Sequence, residues 1–117
     1  MGLFGFKKRW DYSRRLRIDA KDEIERFLKS LWKIKDDYIR IKYSGKQILP
    51  RLVEFIGMVL QDLRNNSTSL EYPSNIKKRY WRVYIKINGI LKKLNENNVQ
   101  EMLAELEKAL ISLQSSL

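Results

Sequence analysis

The chain has 117 residues, of which 44% are hydrophobic and 32% charged, and it carries a formal net charge of +10. It contains no cysteine and no histidine, which excludes disulfides, thiolate metal sites, cysteine nucleophiles and imidazole acid–base chemistry. This length and composition predict one globular domain, and the charge favours polyanionic partners: nucleic acid, an anionic membrane surface or an acidic protein.

The N-terminal segment, residues 1–17, combines apolar residues with cations. It begins MGLFGFKKRW and carries six cations against one acidic residue. We expect this segment to form a basic arm outside the helical domain. Its apolar members would enter a lipid interface or pack against protein, while its cations would meet anionic groups. The expected anchor residues are Leu3, Phe4, Phe6, Lys7, Lys8, Arg9 and Trp10.

The first five residues, MGLFG, resemble the start of some ESCRT-III subunits. The resemblance implies apolar N-terminal residues that insert into membrane ahead of a basic helical hairpin. It covers five of the 117 residues, and Pro50, Gly57 and the polar segment 65–75 interrupt the long second helix of that family. No functional residue is assigned from this resemblance.

The first helix is expected to begin at Asp19 and to end at Gly45, a favourable C-terminal cap. Its apolar residues step alternately by four and three over about six turns. This seam predicts packing inside the domain, with homodimerisation as the alternative, and Trp32 and Tyr43 on a neighbouring stripe are expected in the core or an interface. The seam residues are Ala20, Ile24, Phe27, Leu31, Ile34, Tyr38 and Ile41.

The second helix is expected from Lys46, with Pro50 tolerated in its first turn and a broad apolar face that includes Val53 and Met58. Gly57 in its middle indicates either a close helix crossing or simple tolerance of glycine. The polar stretch that follows, residues 65–75, predicts the longest loop.

Two further helices complete the predicted fold. Ser74 is expected to cap the third helix, and Asn98 with Glu101 forms a capping-box pattern for the fourth. The expected architecture is all-α: a single-domain antiparallel four-helix bundle preceded by the basic arm. The arm occupies residues 1–17 and the bundle residues 18–117, with helices at about 19–44, 46–64, 74–95 and 98–115.

The third helix carries the most informative charge pattern. Residues 71–94 hold seven cations against one acidic residue, whereas residues 95–117 are net acidic. Cations interleaved with a flat aromatic suit a phosphate backbone with a stacking position, and they equally suit anionic lipid. The plainer alternative is a solvated helix face whose apolar residues are covered by the arm or by another copy. A helical wheel places these residues opposite the core stripe: Lys78, Arg82, Lys86 and Lys93, with Trp81 and Ile85 beside them.

Together these patterns predict a small basic nucleic-acid-binding module, not sequence-specific and part of a larger nucleoprotein assembly. The alternative is a peripheral membrane or assembly protein anchored through the arm. We expect no catalysis, cofactor or metal, a cytoplasmic location without signal peptide or spanning segment, a thermophile-like composition, and a homo-oligomer or other subunits as further partners. The expected phosphate-binding residues are Arg14, Arg15, Arg17, Lys77, Lys78, Arg79, Arg82, Lys86 and Lys93, and the expected stacking or apolar contacts are Trp81 and Ile85.

Overall fold

Four α-helices follow one another along the chain. The computed structural model describes residues 2–40 and 43–117, with side chains for residues 14–40 and 43–117. No strand occurs among these residues, so the prediction of an all-α chain is confirmed. The helices are α1 (Gly2–Arg40), α2 (Gly45–Ser67), α3 (Ser74–Lys93) and α4 (Val99–Ser116).

The helices surround one apolar core. α1 packs against α2 and α4, and α3 packs against the same two helices, so each helix has two principal neighbours. All four contribute buried side chains to a single cluster, whose burial at about 25 cal/mol per Å² drives the association. The predicted seam of α1 is buried from Ala20 to Ile34, Tyr38 is half-buried, and Ile41 lies outside the described residues. The inward face of α4 is buried throughout: Val99, Met102, Leu103, Leu106, Ala109, Leu110 and Leu113.

α1 is longer than the sequence predicted. A helix start was expected at Asp19, but α1 is continuous from Gly2, and Asp19 is an exposed residue within it. No proline interrupts the backbone hydrogen-bond ladder of this segment. Upstream of Ala20 no described side chain is buried, so the first part of α1 extends past the core. At 1.5 Å per residue its 39 residues span about 58 Å, which accounts for the molecule's longest dimension of 61 Å.

The start of α2 also differs from the prediction. Gly45 does not end α1; it is the first residue of α2, and Ser44 is the N-cap. The Gln47 N–H donates to Ser44 Oγ at 3.2 Å, and the Ser44 N–H donates to Gln47 Oε1 at 2.9 Å, which forms a reciprocal capping box. Pro50 therefore lies in the second turn rather than the first, where it cannot donate to the carbonyl of Lys46.

The loop before α3 is shorter than expected. α2 continues through Asn65 and ends at Ser67, which leaves residues 68–73 as the connection. Pro73, rather than Ser74, is the N-cap of α3, and no side-chain hydrogen bond caps this helix. The fixed backbone angle of proline pre-orders the helix start without a capping oxygen.

The turn between α3 and α4 uses Asn98 differently from the predicted capping box with Glu101. The Asn98 side chain accepts from the Asn95 N–H at 2.8 Å and donates to the Lys93 carbonyl at 2.8 Å. Because both ends of this amide bond the preceding turn, it does not cap α4.

The apolar face of α2 is narrower than predicted. Val53 and Met58 are exposed, at 42% and 52%. Gly57 is also exposed, and a Cβ added there would meet no atom within 4 Å. The close helix crossing considered at Gly57 is therefore absent, and glycine is tolerated there rather than required.

A half-buried polar cluster lies where α1, α2 and α3 meet. Asn66 Nδ2 donates to Glu23 Oε1 at 3.2 Å, and the Tyr80 hydroxyl is buried without a hydrogen-bond partner among the described residues. Burial raises the pKa of Glu23, and the negative charge of Asp62 raises it further, against the opposing effect of the Asn66 hydrogen bond.

Replacing Glu23 with glutamine should raise the melting temperature at neutral pH. The folded-state pKa of Glu23 lies above its ordinary value of 4.5, so the folded protein binds this proton more tightly than the unfolded chain does. Its stabilising contribution is complete below pH 4.5 and is lost as the pH rises through the raised pKa. Thermal melts of wild type and Glu23→Gln should therefore differ at pH 7 and converge towards low pH. Asp22→Asn, an exposed neighbour, controls for loss of one negative charge, and a pH-independent difference would contradict the assignment.

Candidate nucleic-acid interface

The outer face of α3 carries the predicted cationic row. The opposite face of this helix is buried against α2 and α4. Because the row follows helical spacing, its members lie on one side of α3 and span about 22 Å along the helix axis. All four are exposed: Lys78, Arg82, Lys86 and Lys93.

Two apolar side chains lie beside this row. Trp81 is 48% exposed and Ile85 is 54% exposed, as the helical wheel predicted. The Trp81 ring stacks on Tyr84, with ring centroids 5.2 Å apart and planes 13° from parallel. Tyr84 is half-buried and packs against the core, so it supports the indole from one side. Nearly half of the Trp81 surface remains exposed to solvent.

The Trp81–Tyr84 stack was not predicted. Trp81 was expected on the outer face of the third helix, with no aromatic side chain assigned as its neighbour. Their i, i+3 spacing is the signal that could have joined them, because residues three apart on a helix are neighbours.

A groove of about 500 Å³ between α3 and α4 continues the row towards the C-terminal end of α3. A Cβ added at Gly89 would meet nothing within 4 Å, because Gly89 borders this open groove. Lys108 of α4 was not predicted as a site residue, because only the packing of α4 beside α3 brings it to the row. The groove is lined by Ile85, Lys86, Gly89, Lys93, Glu105 and Lys108, among others.

The two basic segments approach the same end of the molecule. Gln114 of α4 donates to the Lys21 carbonyl of α1 at 3.4 Å, and Arg79 of α3 donates to the Ser116 carbonyl of α4. The last turn of α4 therefore lies between these segments of α1 and α3. Arg17 lies about one helical turn before Lys21, and the cationic row of α3 begins beside Arg79.

The remaining predicted site residues differ in their surroundings. Arg14, Arg15 and Arg17 are exposed on the part of α1 that extends past the core. Lys77 is half-buried, and Arg79 bonds the C-terminal end of α4, which gives it a structural role. The anchor residues of the predicted arm lie outside the described side chains: Leu3, Phe4, Phe6, Lys7, Lys8, Arg9 and Trp10.

Acidic residues of α4 border the basic surface. Glu105 lines the groove, and Glu101 lies one turn before it on the same face of α4. Glu107 faces the other neighbour, where Lys35 of α1 donates to its carboxylate at 3.2 Å. The cationic face therefore has an acidic edge, which limits the width of a polyanion that can lie on it.

Comparisons with known proteins suggest no function, so any proposal depends on the surface of the described residues. The chain matches no protein-family model, no curated protein and no solved structure. Within the described ranges, no three potential ligand side chains are grouped to hold a metal ion, and no helix has the length and apolar character needed to cross a membrane. What the outer face of α3 offers chemically is positive charge, an exposed aromatic ring and an apolar contact.

Proposed function

We propose that this chain is a small, non-catalytic nucleic-acid-binding module that contacts phosphates without sequence specificity. The observation that carries the proposal is the outer face of α3, where four exposed cations flank Trp81 and Ile85. Lysine and arginine neutralise phosphates, and an exposed aromatic ring adds stacking that is tolerant of sequence.

The scaffold of this module is, in our proposal, an antiparallel four-helix bundle. Two contacts between α1 and α2 support an antiparallel orientation of these helices. Asn66 near the end of α2 bonds Glu23 near the start of the buried part of α1, and Arg51 early in α2 pairs with Asp37 late in α1 at 2.6 Å. The bundle presents α3 as a rigid rod, which fixes the spacing of the cations.

The distribution of charge supports a polyanionic partner. Arg14, Arg15 and Arg17 are exposed at the end of the molecule where the cationic row of α3 begins. Two basic segments at one end form a larger positive field than either alone, and such a field speeds association with nucleic acid. We further propose a cytoplasmic location and membership of a larger nucleoprotein assembly.

Fluorescence anisotropy with a labelled random-sequence oligonucleotide tests this function. Affinity should fall steeply as salt rises from about 50 to 200 mM, because counterions released from phosphates drive the association. Anionic vesicles should compete weakly with the oligonucleotide. Absence of binding even at low salt would refute the proposal.

The second candidate is a peripheral membrane or assembly protein. It is favoured by one observation: α1 begins at Gly2 and continues past the core, so the apolar and basic segment forms part of a long helix. Such a helix can lie in the lipid interface when cations meet anionic head groups. Flotation with anionic vesicles, with and without residues 2–10, tests this candidate, and equal flotation of both forms would eliminate the segment as an anchor.

A further inference from the structure

We propose that the α3 face selects single-stranded over double-stranded nucleic acid, with one base stacked on the free side of Trp81. This inference rests on the proposed function and names the form of nucleic acid that the surface accepts. It follows from three features of the described residues: the stacked aromatic pair, the apolar line beside the cationic row, and the acidic edge on α4.

The aromatic pair is built as a platform. Tyr84 covers one side of the Trp81 ring at 5.2 Å and is itself held against the core, so the indole is supported before any ligand binds. A nucleobase can stack on its other side only if that base is unstacked from the neighbouring base on the face that meets the indole. Duplex DNA and RNA keep their bases stacked inside the helix, where a surface indole cannot reach them.

The order of side chains along α3 suits a strand with accessible bases. Ile85 follows Trp81 by one turn, and Arg82 and Lys86 follow each of these by one residue. The apolar side chains therefore form one line along the helix, and the cationic side chains form a second line beside it. One line can contact bases while the other contacts the phosphates of the same strand.

The acidic edge on α4 disfavours a duplex. Glu105 lines the groove together with Lys86, Lys93 and Lys108, and Glu101 lies one turn before it on the same face of α4. A single strand can follow the cationic row of α3 and keep its phosphates away from these carboxylates. A duplex carries a second phosphate backbone, which would lie over α4 and meet like charge.

The length of the surface sets the size of the oligonucleotide. The cationic row spans about 22 Å, which at about 3.4 Å per stacked nucleotide corresponds to about six nucleotides. An oligothymidylate of ten nucleotides is long enough to fill it, and oligothymidylate forms no internal pairs that would compete with binding.

The test compares wild type with Trp81→Leu and Trp81→Phe, using labelled oligothymidylate and a mixed-sequence duplex of equal length. Wild type should bind the single strand at least about tenfold more tightly than the duplex. Trp81→Leu should lose about tenfold in affinity for the single strand and little for the duplex, whereas Trp81→Phe should retain most of the affinity. In a variant with Trp10 and Trp32 replaced by phenylalanine, the single strand should quench the remaining Trp81 fluorescence.

The outcomes separate this inference from the function beneath it. Equal binding of both nucleic acids, with Trp81→Leu unaffected, would overturn strand selection and leave the proposed function in place. No binding of either nucleic acid at low salt would overturn both. If Trp81→Leu weakened binding to anionic vesicles but not to nucleic acid, the aromatic pair would be a lipid contact, and this too would overturn the inference.

Discussion

Replacing Lys78, Arg82 and Lys86 with glutamine is expected to weaken binding to a single-stranded oligonucleotide on the order of 100-fold at 50 mM salt. Each lost cation removes about 0.7 from the slope of log affinity against log salt, so the slope should fall by about 2. All three side chains are exposed, and replacing them leaves the core unchanged. The measurement is a salt series of binding isotherms on wild type and variant.

The matched control removes three cations elsewhere. Arg26, Lys29 and Lys33 are exposed on α1, whose principal neighbours are α2 and α4 rather than α3. Their replacement with glutamine changes the net charge of the chain by the same amount, so it should lower affinity only slightly through the long-range field. Equal losses in both triple variants would mean that net charge, rather than the α3 face, governs binding.

Replacing Gly45 with alanine is expected to destabilise the fold by about 3 kcal/mol, a loss of about 10 °C or more in melting temperature. A Cβ at Gly45 would fall on the backbone carbonyl of Glu96, in the turn between α3 and α4. A backbone group cannot rotate away as a side-chain end can, so the start of α2 and that turn would have to separate. Urea unfolding followed by far-UV circular dichroism measures the loss.

Gly57→Ala is the control for this prediction. It makes the same chemical change on the same helix, but the added Cβ meets open space. Because alanine favours the helix over glycine, this variant should gain about 0.5–1 kcal/mol. If Gly45→Ala were as stable as wild type, the close approach of Gly45 to Glu96 would be wrong.

Periodicity predicted the helices better than it predicted their ends. The stripes of α3 and α4 follow from spacing because burial of apolar area is the largest favourable term in folding. Helix ends depend on which of several local hydrogen bonds a side chain makes, and these differ little in energy. Asn98 has the right spacing for a capping box with Glu101, but its amide bonds the Lys93 carbonyl instead. Gly45 was expected to end α1, yet Ser44 and Gln47 make it the start of α2.

The length of α1 shows a different limit of sequence reasoning. Asp19 and the acidic residues after it are typical of a helix start because they complement the helix dipole. The same residues are also acceptable on the exposed side of a continuing helix, and Asp19 is exposed in α1. Helix propensity alone does not distinguish a helix start at Asp19 from a helix that continues through it. Upstream of Ala20 no described side chain is buried in the core, so no buried apolar stripe marks the helix there.

The candidate site was predictable where it depends on one helix and not where it depends on two. The exposure of Trp81 and Ile85 followed from a wheel of α3 alone. Three other features depend on how α4 packs beside α3. Lys108 and Glu105 line the groove beside the cationic row, and Arg79 donates to a carbonyl at the end of α4. No spacing within one helix contains that information.

An amide chemical-shift titration of the full chain with oligothymidylate tests whether α3 is the binding surface. We expect salt-sensitive shifts concentrated on α3 around Trp81, Arg82 and Lys86 and in the groove towards Lys108, with the surface between α1 and α2 around Met58 unchanged. Shifts centred instead on that α1–α2 surface, or no shifts at low salt, would contradict it.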